Sequence, residues 1–260
     1  MNGAEDTGTL VQPSVFLDAG VLLSLFHFWD ACNRADAGDR LHEISGWKDL
    51  EGILKSANPH VEGMKQNDDI SRGMNAFRRL QGSWNRHHHF SSRICWSEVH
   101  HALLEARALE SLVRRGVSQS LRMKRPQRLY RAALQRTDYN ELQDQMKAFR
   151  DSLHMDYGID VVDVEDPSRG AIVALADIWE GARELWSHVL MDVLDAYVYV
   201  AACLVRADVF VSGDENLRHA LALLHDPDSE WTPTVVSLRQ ALGLAPGATL
   251  PQPVTPRAAF

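Results

Sequence analysis

The chain has 260 residues, 45% of them hydrophobic and 24% charged. That balance suits a globular protein with a real core, organised as one enlarged domain or two small ones. A net charge of −8 and a pI near 5.8 exclude polyanion binding by bulk charge, so any nucleic-acid contact needs a local basic patch.

Residues 1–13 read as a flexible leader without the basic region of a secretory signal. The apolar run 15–29 is too short to span a bilayer and carries Asp18. Cys32, Cys95 and Cys203 are far apart in apolar surroundings and read as buried thiols in a reducing compartment. These features predict a cytoplasmic protein with no membrane contact. Val15, Phe16 and Leu17 read as a buried strand, followed by a helix with Leu22, Leu23, Leu25, Phe26 and Trp29 on its apolar face. Asp18 stands at the junction, where a carboxylate can cap the helix or serve a site.

Residues 30–90 are mixed. Helical periodicity at 41–55 and 70–84 is separated by Asn58-Pro59 and a polar loop. The run His87-His88-His89 looks like a metal site, but adjacent side chains point in different directions. A solvated loop is the preferred reading.

Residues 93–96 read as a short strand, with Ser97 as the N-cap of a helix running to about residue 115. Val99, Ala102, Leu103, Ala106, Leu109 and Val113 form its expected buried face, and Glu98 falls in its first turn. Residues 114–136 hold Arg114, Arg115, Arg122, Lys124, Arg125, Arg128, Arg131 and Arg136 and no acid. Without these eight positive charges the rest of the chain stands at −8 − 8 = −16. Arg122, Lys124, Arg125, Arg128 and Arg131 are the candidate RNA contacts. A solvated helical face or a site for an acidic partner protein explains the same residues. A more balanced helix follows at 138–156. Residues 159–164 read as a strand with Asp160 and Asp163 on the surface. Residues 168–189 read as a helix with Ile172, Leu175, Ala176, Trp179, Leu185 and Trp186 apolar.

The richest stretch is 190–217. Val193, Ala196, Tyr197, Val200 and Leu204 recur at helical spacing, and Asp192, Asp195 and Tyr199 fall on another side. Val209, Phe210 and Val211 read as a central parallel strand, buried on both faces. Asp214 follows at its carboxyl end, where open α/β sheets place their sites. A helix cap by Asp214 or Asn216 is the simpler account of that position alone. A last strand is expected at 234–236, then a short helix at 238–242 and a Pro-rich tail at 243–260.

Strand and helix alternate throughout, which predicts an α/β fold around a mainly parallel sheet. Asp18, Glu98, Asp195 and Asp214 each lie at a strand-to-helix junction or in a helix's first turns. Two carboxylates about 4 Å apart repel by roughly 4 kcal/mol at an effective dielectric of 20. Four converging acids would therefore need cations or raised pKa values, and hard oxygens suit Mg²⁺ or Mn²⁺.

The blocks VFLDAGVLLSLF (15–26), ICWSEVHHALLEA (94–106), DAYVYVAACLVRADVFVSGDENL (195–217) and TVV (234–236) resemble the PIN-domain family. That family includes the VapC-type toxins of bacterial toxin–antitoxin pairs. The order of elements extends the resemblance over residues 14–242. It implies a PIN-like three-layer fold, its sheet flanked by helices, with helical insertions at about 30–90 and 114–156. It also implies an endoribonuclease in which Asp18, Glu98, Asp195 and Asp214 hold one or two Mg²⁺ or Mn²⁺ ions and carry catalysis. Asp192 and Asn216 would be auxiliaries, and the products would bear 5′-phosphate and 3′-hydroxyl ends. Were the chain such a toxin, a small cognate antitoxin would mask the site, and a homodimer would be usual for the family.

The rival from another class is a non-catalytic PIN-like module that binds RNA or a partner protein. A haloacid-dehalogenase-like phosphatase is set aside because Gly20 stands where its second Asp is needed. Nothing in the chain selects DNA junctions, as a flap-type nuclease would require.

Overall fold

A computed structural model describes residues 14–36, 44, 47–57, 68–81, 87–118, 131–162, 164, 174–223 and 234–236. The elements run β1 (Ser14–Leu17), α1 (Ala19–Arg34), α2 (Trp47–Ala57), α3 (Asp68–Gln81), β2 (His88–Ser92) and α4 (Arg93–Arg114). Then come α5 (Arg136–Met155), β3 (Ile159–Val162), α6 (Leu175–His188), α7 (Val193–Leu204), β4 (Val209–Val211), α8 (Glu215–Ala222) and β5 (Thr234–Val236). No helix among the described residues is long and apolar enough to cross a membrane.

The five strands pair in the order β3-β2-β1-β4-β5, and every pairing is parallel. The fold is therefore α/β, a parallel sheet flanked by helices. A parallel sheet needs cover on both faces, so its strands read as continuous apolar runs. Val209, Phe210 and Val211 are fully enclosed, as the short apolar run predicts. Phe16 is in register with Phe90 on one side and Phe210 on the other. Its ring meets theirs at centroid distances of 5.3 and 5.7 Å, and Tyr199 of α7 closes edge-on over Phe210 at 5.6 Å. Elsewhere Phe149 of α5 gathers Phe26 and Trp29 of α1 and Trp96 of α4 within 5.2 to 5.8 Å.

Two glycines mark close helix approaches. A Cβ on Gly73 of α3 would lie 1.9 Å from the Ser24 carbonyl oxygen of α1, and one on Gly181 of α6 would meet Val200 of α7 at 2.8 Å.

The order of the sheet reverses at β1: β2 and β3 extend to one side, β4 and β5 to the other. The crevice between the carboxyl ends of β1 and β4 is thus the topological switch point, where α/β folds bind ligands.

Several expectations need correction. Residues 93–96 are not a strand but the first turn of α4. Ser92, not Ser97, is its N-cap, accepting from the Cys95 N–H at 3.2 Å, while the Ser97 hydroxyl bonds back to the Arg93 carbonyl. The strand lies just upstream, so the histidine run is not a solvated loop. His88 and His89 belong to β2, and His87 and His89 are buried. Glu98 sits in the second turn of α4. The far half of that helix buries Ala108 and Leu112, leaving Leu109 and Val113 exposed.

On α6 the core residues are Ile178 and Ala182, whereas Leu175, Ala176, Trp179 and Trp186 face outward. Helix α7 is enclosed on most sides. It buries Ala196 and Tyr197 of the expected stripe, and Val198 and Tyr199 beside them.

Asp160 is partly exposed as expected, but it is paired with His88 and His154. Cys32 and Cys95 are buried and all three thiols are free. Residues 1–13, Asp163, Ile172, the 238–242 helix and the 243–260 tail lie outside the described residues.

Candidate metal centre

Asp18 ends β1 and caps α1. Its backbone N–H donates to the Val211 carbonyl at 3.0 Å, continuing the β1–β4 pairing by one residue. Its side chain is buried and doubly held: Oδ1 accepts from the Ala19 N–H at 2.7 Å, and Oδ2 accepts from the Ser212 hydroxyl at 2.6 Å. Ser212 is fully buried. Its oxygen also accepts from the Asp214 N–H at 3.1 Å, and its carbonyl accepts from the Arg218 guanidinium at 2.8 Å. One hydroxyl thus ties the end of β1 to the turn after β4. Asp214 caps α8, with Oδ1 accepting from the N–H groups of Asn216 and Leu217 at 2.7 and 3.2 Å. Its cap role is real, and a carboxylate oxygen retains lone pairs beyond those bonds.

Glu98 arrives from α4 and Asp195 from the first turn of α7, both half-buried. Asp192 caps α7 through the Leu194 N–H and is exposed. One carboxylate oxygen from each of Asp18 and Glu98, together with the Cys95 sulfur, lie within 4.8 Å of one another. The wider set is joined electrostatically. Burial pushes Glu98 up to about 7, and Asp18, Asp195 and Asp192 push in the same direction. Burial likewise lifts Asp195 to about 6, with Asp18, Asp192 and Asp214 adding to it. Asp18 is raised chiefly by burial, against its hydrogen bonds from Ser212 and Ala19.

Of the four predicted acids, Asp18 and Glu98 come within 4.8 Å of one another, while Asp195 and Asp214 are linked to Asp18 electrostatically. Among the described residues no Lys or Arg forms an ion pair with any of them. A site of this kind can relieve its repulsion by holding protons or by taking up a cation.

The donor set fits a hard divalent cation, because its available atoms are carboxylate oxygens. Asp18, Glu98, Asp195 and Asp214 would hold the ion, with Asp192 nearby. Cys95 is the one soft atom present. Burial first, and Asp18 after it, push its thiol up to about 12, so at neutral pH it stays protonated and leaves a hard ion to the oxygens.

Sequence reasoning alone misses two members of this centre. Cys95 reads as a core thiol, although its place three residues before Glu98 puts both on one helix face. Ser212 reads as turn chemistry, although it stands two residues before Asp214. The predicted basic surface is only partly in view. Arg131 is exposed, whereas Arg122, Lys124, Arg125 and Arg128 lie outside the described residues. A scan against protein-family models, a search of curated proteins and a search of solved structures each return no match.

Proposed function

We propose that this chain is a PIN-like, metal-dependent endoribonuclease that hydrolyses RNA phosphodiester bonds at the carboxyl ends of β1 and β4. One observation carries the reading. Asp18 and Glu98 come within 4.8 Å of one another beside the switch point of a parallel sheet, Asp195 and Asp214 are electrostatically linked to Asp18, and among the described residues no Lys or Arg forms an ion pair with any of the four.

Mg²⁺ or Mn²⁺, when bound, would supply a water of lowered pKa and stabilise the charge that develops on the leaving oxygen. The protein's own part is positioning. The Ala19 N–H and the Ser212 hydroxyl fix both oxygens of Asp18, so this carboxylate is preorganised. Helix α4 presents Glu98 and α7 presents Asp195, whose carboxyls are raised by burial and by neighbouring acids in the metal-free state and would release their protons to hold the ion. Asp214, which caps α8, would supply the fourth carboxylate. The PIN-like three-layer arrangement and a role as the toxin of a toxin–antitoxin pair, with an antitoxin partner, belong to the same proposal.

The test is cleavage of structured and single-stranded RNAs with Mn²⁺, Mg²⁺ or EDTA, wild type beside Asp195→Asn. Metal-dependent cutting that disappears in the variant is the expected result. RNA binding that persists in EDTA with no turnover in any metal would overturn the nuclease and favour a binding module.

A further inference from the structure

We infer that Arg218 of α8 is a substrate-binding residue, whose guanidinium takes a phosphate of the RNA strand beside the metal-binding acids. The inference rests on the proposed function and names a group that holds the substrate at the same site.

The placement follows from the chain. Arg218 stands one helical turn beyond Asp214, and its backbone N–H donates to the Asp214 carbonyl at 3.1 Å. The side chain turns back towards the end of β4, where Nη1 donates to the Ser212 carbonyl at 2.8 Å. The hydroxyl of the same serine donates to Asp18 Oδ2 at 2.6 Å and accepts from the Asp214 N–H at 3.1 Å. A half-buried cation is thus fixed to the residue that ties Asp18 to the Asp214 turn.

Its bonding leaves room for an anion. A guanidinium carries five N–H donors. Among the described residues the Arg218 side chain uses only the bond to Ser212, and no ion pair joins it to a carboxylate. A planar fork with donors to spare matches two oxygens of a phosphate. The Ser212 bond holds the fork in place, so less side-chain freedom is lost when a phosphate binds. A phosphate approaching acids on a chain of net charge −8 gains from a positive group at their rim, in addition to the metal.

The test uses the full chain in Mn²⁺ on the RNA that wild type cuts best, beside Arg218→Gln, Arg218→Met and Arg218→Lys, over a range of KCl. Mn²⁺ binding is followed separately by electron paramagnetic resonance. In the two neutral variants kcat/KM should fall about 10–100-fold, the scale of a lost hydrogen bond to a charged group, through KM more than kcat and with Mn²⁺ affinity unchanged. The slope of log kcat/KM against log salt should also flatten by about 0.7–0.9, the share of one phosphate contact. Arg218→Lys keeps the charge without the fork, so it should keep the wild-type slope and recover part of the loss. Two neutral variants guard against one of them misfolding, and each is checked for a cooperative melt. An Arg218 that only braces the Ser212 turn would lower Mn²⁺ affinity and leave the salt slope alone. That result, or wild-type kcat/KM in the neutral variants, overturns this inference and leaves the nuclease reading intact. No cutting of any RNA by wild type in any metal overturns both.

Discussion

The two ends of the sheet carry the same kinds of side chain in opposite electrical states. Toward the amino ends Asp208 and Asp160 are answered. Asp208 Oδ2 accepts from both the backbone N–H and the hydroxyl of Ser14, at 2.7 and 2.8 Å. Asp160, farther along β3, takes His154 on one oxygen at 2.8 Å and His88 on the other at 3.3 Å. Burial alone would lift Asp160, but those hydrogen bonds outweigh it and hold its carboxyl below the usual value. At the carboxyl ends Asp18, Glu98 and Asp195 are all raised. Crowding acids without counter-charges among the described residues costs stability, and perturbed groups of this kind cluster at functional sites. The contrast separates acids answered by hydrogen-bond partners from acids raised by burial and by one another, the group on which the proposed metal site draws.

The sharpest break of that contrast is catalytic. Asp195→Asn should lower metal-dependent RNA cleavage by about 10²–10³-fold or more, the scale on which loss of one catalytic electrostatic contact is felt. Asp160→Asn should leave cleavage unchanged. If the two variants cut equally well in a gel assay, the carboxyl end has no special status.

The next effect is on pH. Glu98 and Asp195 have folded-state values above their ordinary 4.5 and 3.8, so the folded protein binds their protons more tightly than the unfolded chain does. Their contribution to stability is complete below those ordinary values and is lost as pH rises through about 7 and about 6, respectively. At the amino end His89 runs the other way. Burial first, then His87 and His88, lower it to about 4, so its contribution is present above the ordinary 6.5 and declines as pH falls. Because the two slopes oppose, the difference between wild type and Glu98→Gln is the readout. In EDTA the variant should gain melting temperature relative to wild type as pH rises towards 7, and Mn²⁺ should cancel the gain. A difference that does not vary with pH would mean Glu98 is not under strain.

A smaller contrast comes from exchanging single acids in the metal-free protein. Asp18→Asn should raise the melting temperature, since Asn caps a helix as well as Asp and the charge near Glu98 and Asp195 is gone. Asp208→Ala should lower the melting temperature, with a loss of about 1 kcal/mol in stability, as Ser14 loses its acceptor. A fall in both would make Asp18 an ordinary structural cap.

What the sequence reveals of this contrast follows from how each end is built. Asp18 and Asp214 are legible because each follows a short apolar strand and precedes a helix, and that punctuation survives in any context. Asp195 is legible because its helix has a strong apolar period. β2 is not. His-His-Phe-Ser-Ser lacks the β-branched run that marks a strand, and it is buried because β1 and β3 enclose it and helices cover its faces. The same gap moved the expected start of α4, which displaced Glu98 by a turn and hid the cap at Ser92. The outward Trp179 and Trp186 show the converse. Hydrophobicity says that a side chain prefers burial but not which neighbour supplies it, and α7 covers only the Ile178 and Ala182 side of α6. Ser212 and Cys95 were hidden because their chemistry exists only across elements.

The smallest effect tests whether the answered carboxylates matter at all. Asp160 has a side chain 46% exposed, and its partners His88 and His154 are 56% and 67% exposed. These contacts are ion pairs only when the histidine is protonated, and a pair so open to water is screened and worth about 0.2–1 kcal/mol. Asp160→Asn should therefore lower stability by no more than that, and added salt should shrink the difference. The group's folded value lies below 3.8, so what it contributes is present above that pH and lost as pH falls through the lowered value. Urea unfolding of wild type and Asp160→Asn at neutral and acid pH reads this directly. A loss well above 1 kcal/mol at neutral pH would show that the His88–Asp160–His154 bridge binds β2, β3 and α5 more tightly than its exposure allows, and the amino end would then be more than a screened, settled surface.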